Sequence, residues 1–289
     1  MRALLNRLAA LDRRFVFLGV LVLAVAPFFL KAGIRVESTR YTDLIWDQME
    51  GLKSVDDPGF KPLLLSADYD PGTVAELGPM AKAVLRHVFE KDSGVIVLTF
   101  LPTGGALVQD VILEIAKEYE HKGVREGRNY AYLGFATPPG VIMQSIGREI
   151  RDNFQVDYAG KPIDKMPIFK NVHTYKDIHL VVDLAGSNMP GTWIGNAVAR
   201  YDANFAMGVT AVMAADNTPY IPKQAKGMIS GLRGAAEYEQ LLQDKYGIEL
   251  EDASWGMDSL SVTHLFILLL IVVGNLGYFL GREKRGGAR

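Results

Sequence analysis

Gly94-Val95-Ile96-Val97-Leu98-Thr99-Phe100 is followed, after the turn Leu101-Pro102-Thr103-Gly104-Gly105, by an amphipathic stretch from Ala106 to His121. An unbroken apolar run closed by turn residues and then by helical periodicity reads as a strand buried on both faces, with the helix that covers it. The same order of signals recurs on either side. Upstream, Pro62 to Ser66 precedes a helix near Val74 to Glu90. Downstream, Tyr130 to Phe135 precedes one near Val141 to Asn153, His179 to Leu184 one near Thr192 to Tyr201, and Gly208 to Met213 a long one near Lys223 to Tyr246. Five such units predict an α/β fold: a doubly wound, three-layer domain with about five mainly parallel strands. One segment breaks the rhythm. Gln155 to Tyr175 is too long for an ordinary connection and is expected either as a hairpin on the sheet edge or as a flap over a site.

Beyond the α/β region the chain becomes strongly apolar at both ends, over 15–33 and 260–280. Each segment is expected to be a transmembrane helix, and basic residues cluster on the outer flanks: Arg2, Arg7, Arg13 and Arg14 before the first, Arg282, Lys284, Arg285 and Arg289 after the second. That bias predicts a two-pass protein of the cell membrane with both termini cytoplasmic. Tails 1–14 and 281–289 would lie inside and the domain 34–259 outside, with a juxtamembrane helix at 39–52. Ala24-Val25-Ala26 resembles a signal-peptidase site, but Pro27, Phe28, Phe29 and Leu30 continue the apolar run beyond it, so an uncleaved anchor extended to about Gly33 is the reading adopted. Gly277 and Gly281 stand four apart, with Gly274 and Asn275 nearby, a spacing that lets a second helix approach closely.

Composition narrows the chemistry. The region 34–259 holds 22 Lys and Arg against 31 Asp and Glu, a net of −9, which lacks the basic character of nucleic-acid binding. The chain has no cysteine, which removes disulfides, thiolate catalysis and Cys-ligated metals. Dinucleotide and phosphate-loop fingerprints and the H-E-x-x-H zinc helix are also missing, and no cofactor is specified.

In a parallel sheet of this kind, ligands bind beyond the carboxyl ends of the strands. The loops there contribute Asp68 and Asp70, Thr103, Gly104 and Gly105, Ser187, Asn188 and Thr192, and Asp216 and Asn217 as candidate ligand-binding residues. Glycines and hydroxyls at helix starts suit an anion, although tight turns need the same residues. Asp68, Asp183 and Asp216 could instead gather round a divalent ion. Asp183 stands out as a carboxylate inside an apolar strand, and Asp183 and Ser187 are the candidate catalytic side chains. Ser187 lies outside any G-x-S-x-G elbow, which weighs against a serine hydrolase. Gly227, Gly231 and Gly234, expected on one helix face, mark a close approach by the domain itself or by a second subunit. The reading is a membrane-anchored extracytoplasmic binding or assembly module, in contact with lipid and self-associating or joined to another membrane protein. The alternative is a membrane-tethered hydrolase dependent on a divalent metal.

Overall fold

The computed structural model describes residues 12–31 and 33–286, with side chains of the last helix described through Leu276 and at Tyr278. Two compact units are present, one of residues Met1–Ile34 with Ser254–Arg289, the other of Arg35–Ala253. In chain order the regular elements are α1 (Arg13–Leu30), α2 (Arg40–Glu50), β1 (Leu63–Asp68), α3 (Val74–Glu90), β2 (Val95–Thr99), α4 (Gly105–Glu118), β3 (Tyr130–Phe135) and α5 (Pro139–Ile146). They continue with β4 (Leu180–Ala185), α6 (Met189–Trp193), a π turn at Ile194–Val198, α7 (Ala199–Tyr201), β5 (Phe205–Val209), α8 (Ala214–Asn217), β6 (Met228–Ser230), α9 (Gly231–Tyr246) and α10 (Asp252–Gly286).

The six strands form one parallel sheet in the order β3-β2-β1-β4-β5-β6. The chain starts at the centre, builds outward through β2 and β3, then returns to β4 beside β1 and builds the other half. Strands β1, β2, β4 and β5 are buried throughout, as their unbroken apolar runs require. Leu64, Ile96, Val181, Phe205 and Met207 share one core cluster with Met143, Ile146, Phe169, Tyr175 and Trp193. Residues alternate across a strand, so Gly208 points the opposite way to Met207. A Cβ there would lie 3.0 Å from Met80 of α3, which places α3 on the other side. Helices α2, α3, α4 and α9 pack among themselves.

A sixth strand stands where the sequence predicts the start of a long helix at Lys223. Gly227 lies so close to α2 that a Cβ would sit 2.3 Å from the backbone nitrogen of Ile45, and Gly231 turns the chain from β6 into α9 with φ +59. Neither geometry suits a residue with a side chain. These glycines are therefore not a face of one helix: Gly227 leads into β6, Gly231 makes the strand-to-helix corner as the first residue of α9, and Gly234 lies one turn further in, against Ile229. The helix expected over Val141 to Asn153 is also shorter, ending at Ile146 before a single 3-10 turn at Ile150–Asp152.

The interruption at 155–175 is neither a full edge hairpin nor a free flap. Val156 and Pro162 make one antiparallel bridge, and Tyr158 N donates to the carbonyl of Tyr132 on β3. The rest winds through 3-10 turns that bury Ile163, Met166, Ile168, Phe169 and Tyr175 in the core. Arg151 ties the segment down, donating to the carbonyls of Phe169 and Val172 and pairing with Asp164 at 2.6 Å.

In the other unit, α1 and α10 are each long and apolar enough to cross a membrane, with mean hydropathies of 2.0 and 2.1. They run antiparallel: Ser259 Oγ donates to the Ala24 carbonyl, and the Phe266 ring lies against Gly19. α1 stops at Leu30 rather than reaching Gly33, because Lys31 turns left-handed with φ 46. The chain leaving it is held by Asp258, which accepts from the backbone N–H groups of Gly33 and Ile34. Lys31 does not extend alone; its ammonium lies 4.6 Å from the centre of the Trp255 ring. The residues of the Gly277 and Gly281 spacing, together with Arg2, Arg7, Arg282, Lys284, Arg285 and Arg289, lie outside those whose positions or side chains are described.

Candidate functional site at the strand ends

The point where the sheet reverses direction lies between β1 and β4. Their register sets Ser66 opposite Asp183 and Asp68 opposite Ala185. Side chains two apart on a strand share a face, so Ser66, Asp68 and Asp183 all project to one side. All three are completely buried.

Asp68 is well supplied with donors. Ser66 Oγ donates to Oδ2 at 2.5 Å, and Oδ1 accepts from Phe100 N at 2.5 Å and from Thr99 Oγ1 at 3.3 Å. Asp183 is not: neither of its oxygens receives an N–H or O–H group. Its polar neighbour is the Asp68 carboxyl, within hydrogen-bonding reach, a contact that requires a proton on one of the two. Burial, followed by the negative charge of Asp68, pushes Asp183 well above the carboxylate range. Burial also raises Asp68, but its donors from Ser66, Phe100 and Thr99 oppose the rise. Of the pair, Asp183 is the acid and Asp68 the carboxylate.

Other polar groups near the strand ends lack partners as well. The Tyr69 hydroxyl directly after β1, the Thr210 hydroxyl directly after β5 and the indole N–H of Trp193 in α6 are buried and make no hydrogen bond. Trp193 packs between the rings of Phe100 and Phe205, with centroids 5.9 and 6.4 Å away, on the same face as Asp183. No family model, curated protein or solved structure matches this chain.

The remaining candidates of the rim separate into structural and exposed residues. Asp70 is a turn residue, its Oδ1 accepting from the N–H groups of Gly72 and Thr73 and from the Thr73 hydroxyl. Gly104 is required by packing, since a Cβ there would sit 2.4 Å from the carbonyl oxygen of Tyr69. The Gly105 carbonyl accepts from the Tyr132 hydroxyl, and the Asn217 amide donates to the carbonyl of Met213, four residues back. Asn188 precedes α6 without capping it by its side chain, and the Thr192 carbonyl accepts from Asn196. Thr103, Ser187, Asn188 and Asp216 are exposed.

Asp216 does not join Asp68 and Asp183. Among the described residues no three His, Asp or Glu side chains come together in a way that could hold a metal ion. The three-carboxylate ligand set expected of a divalent ion is thus not assembled, and Ser187 has no base beside it among its hydrogen bonds. Sequence reasoning located the acid pair's members but missed their partners. Thr99 reads as an ordinary strand residue and Ser66 as a strand-end serine outside any nucleophile motif, and only the i, i+2 spacing of Ser66 and Asp68 signalled that a hydroxyl would sit beside the carboxylate.

Proposed function

We propose that the chain is a two-pass membrane protein that holds an acidic, doubly wound α/β domain on the extracytoplasmic side as a binding module, with the rim over β1, β4 and β5 as its binding face. The observation that carries this reading is a set of unpartnered buried polar groups on or next to these elements: both oxygens of Asp183 in β4, the indole N–H of Trp193 in α6 and the Thr210 hydroxyl directly after β5. Native proteins pair nearly all such groups, and the exceptions concentrate where function demands them. Strand order supports the doubly wound arrangement, as do Met80 and Trp193 on opposite faces of the sheet. The antiparallel pairing of α1 with α10 supports termini on one side of the bilayer, and the flanking arginines favour the cytoplasmic side.

The absence of native cysteine gives a clean test. Single cysteines at Ser187→Cys and Asp216→Cys sample the exposed rim, and Asp57→Cys samples the opposite end of the domain as a control. A membrane-impermeant maleimide added to cells should label the control without permeabilisation. The two rim positions should label slowly in cells but fast in the purified full-length protein, because a bound partner is lost on purification. Labelling of the control only after permeabilisation would refute the topology. Equal rim labelling in cells and after purification would refute the binding face.

A further inference from the structure

The carboxyl pair at the centre of the sheet carries an inference that does not depend on whether the rim above it is occupied. Asp68 accepts three hydrogen bonds, from Ser66 Oγ, Thr99 Oγ1 and Phe100 N, while Asp183 on the adjacent strand accepts none. A second ionised carboxylate with no donor, entirely enclosed beside the first, has nothing to offset the loss of water or the repulsion. Among the described residues no cation acts on Asp183. Asp68 is the charged group acting on Asp183, and Asp68 itself meets Ser66, Phe100, Asp183 and Thr99. From the neighbouring elements, β5 sets Met207 beside Asp183 and α6 brings Trp193 to the same face. The acidic groups of the loops are engaged elsewhere or point outward: Asp70 holds Thr73, Glu76 accepts from Ala211 N, and Asp216 is exposed.

We propose that Asp68 and Asp183 hold one proton between them, and that losing it loosens the seam between β1 and β4, so that the centre of the sheet is a pH-sensitive switch beneath the strand-end rim. Ser66 and Thr99 fix Asp68 as the acceptor, and the proton resides on Asp183 and points to it. Removing that proton leaves two negative charges between strands that are hydrogen-bonded in register from Leu63 to Asp68. The strain falls on the strand ends, where the chain leaves the sheet.

The sign follows from the direction of the shift. Asp183 in the unfolded chain titrates at the ordinary value of 3.8, and in the folded protein well above it. Between those two values the folded state carries a proton that the unfolded state has lost. Its contribution is complete below 3.8 and is lost as pH rises toward the folded value. Asp183→Asn keeps the shape and a donor for Asp68 but cannot ionise.

The experiment compares the full-length protein with Asp183→Asn in lipid nanodiscs, by denaturant unfolding of the α/β domain at a series of pH values. The ratio of wild-type to variant folding constants is expected to fall by about tenfold per pH unit within that window. Hydrogen exchange of the amides in Ser66–Asp68 and Val182–Ala185, corrected for intrinsic rate, should accelerate with pH in the wild type but not in the variant. An infrared difference spectrum at neutral pH should contain the carbonyl stretch of a protonated carboxylic acid that Asp183→Asn removes and Asp68→Asn retains. A pH-independent ratio, or seam amides that respond to pH alike in both proteins, would overturn the switch. If Asp183→Asn does not fold, the wild-type protein decides: neutral-pH spectra lacking any protonated acid would overturn the shared proton, and seam exchange that does not rise with pH would overturn the switch.

Discussion

Two buried clusters of titratable side chains lie on opposite sides of the sheet, and they solve the same problem in opposite ways. Among α2, α3 and α9, Glu50 sits 2.7 Å from Lys245 and 3.3 Å from Lys91, and accepts from the Tyr246 hydroxyl at 2.8 Å. Burial pushes Glu50 up, but the hydrogen bonds from Lys245 and Tyr246, with the charges of His87 and Lys91, outweigh it and bring it down to about 2. Under Trp193, Asp183 has only another carboxyl for company and moves the other way. The difference teaches that burial alone does not decide the charge of a group; the donors supplied with it do. Glu50 can be read as a fastening for α2. Asp183 cannot, because it holds the seam only while it keeps its proton.

The largest test of the contrast removes the apolar cover from one cluster only. Trp193 is fully buried against Phe100, Phe205 and Tyr175. Trp193→Ala should destabilise the domain by about 3–5 kcal/mol in denaturant unfolding. It should also weaken the pH dependence assigned to Asp183, because water entering the cavity solvates the ionised form. A stability loss with the pH dependence intact would show that Trp193 does not shield the pair.

A somewhat smaller effect is expected on the other face, at acid pH. His87 Nδ1 lies 2.6 Å from the Tyr238 hydroxyl, while Nε2 is 3.3 Å from Glu50 but without hydrogen-bond alignment. Burial lowers His87 from 6.5 to about 4, with Glu50 opposing and Lys91 adding to the fall. A depressed group contributes stability that is present above its unfolded pKa and lost as pH falls. In an Asp183→Asn background, where the opposing slope of the acid pair is removed, the domain should therefore lose about 3 kcal/mol between about pH 6.5 and 4. His87→Leu should flatten that limb while leaving the slope assigned to Asp183 unchanged. An acid limb that survives the substitution would mean that the carboxylates, rather than His87, control it. The two clusters would then no longer pull the pH dependence in opposite directions.

Much of this comparison could be read before the fold was known, and the part that could not has a physical reason. The apolar runs of β1 to β4 are strands because each is closed by turn residues and followed by helical spacing, whereas the fifth strand, Phe205–Val209, begins before the expected run of Gly208 to Met213, whose end winds into a 3-10 turn at Ala211–Met213. Asp183 is conspicuous because a charge in such a run is costly. β6 escaped notice because Met228-Ile229-Ser230 is three residues long and flanked by Gly227 and Gly231, whose meaning lies in contacts with Ile45 and Ala211 far away in sequence. His87 follows Met80 and Val84 at helical spacing and so falls on the buried face of α3, but its partners come from α2 and α9. Local pattern reveals which face is buried; it does not reveal what the face will meet.

The smallest expected effect separates the buried pair from the exposed rim above it. Ser187 and Asp216 are exposed, and no hydrogen bond or ion pair is recorded for either side chain. Removing both as Ser187→Ala with Asp216→Ala should therefore change stability by no more than about 0.5 kcal/mol at any pH, since surface changes away from packing, caps and buried polar groups fall in that range. The acid pair lies on the strands beneath, so the pH dependence assigned to Asp183 should be untouched. A rim that binds a partner should nevertheless register the change, as faster maleimide labelling in cells at Asn188→Cys placed in the double-alanine background. Constant stability with faster labelling would assign recognition to the exposed loops and proton sensing to the sheet. A shift in the Asp183 pH dependence would instead join the rim and the seam into one electrostatic unit and remove the distinction between them.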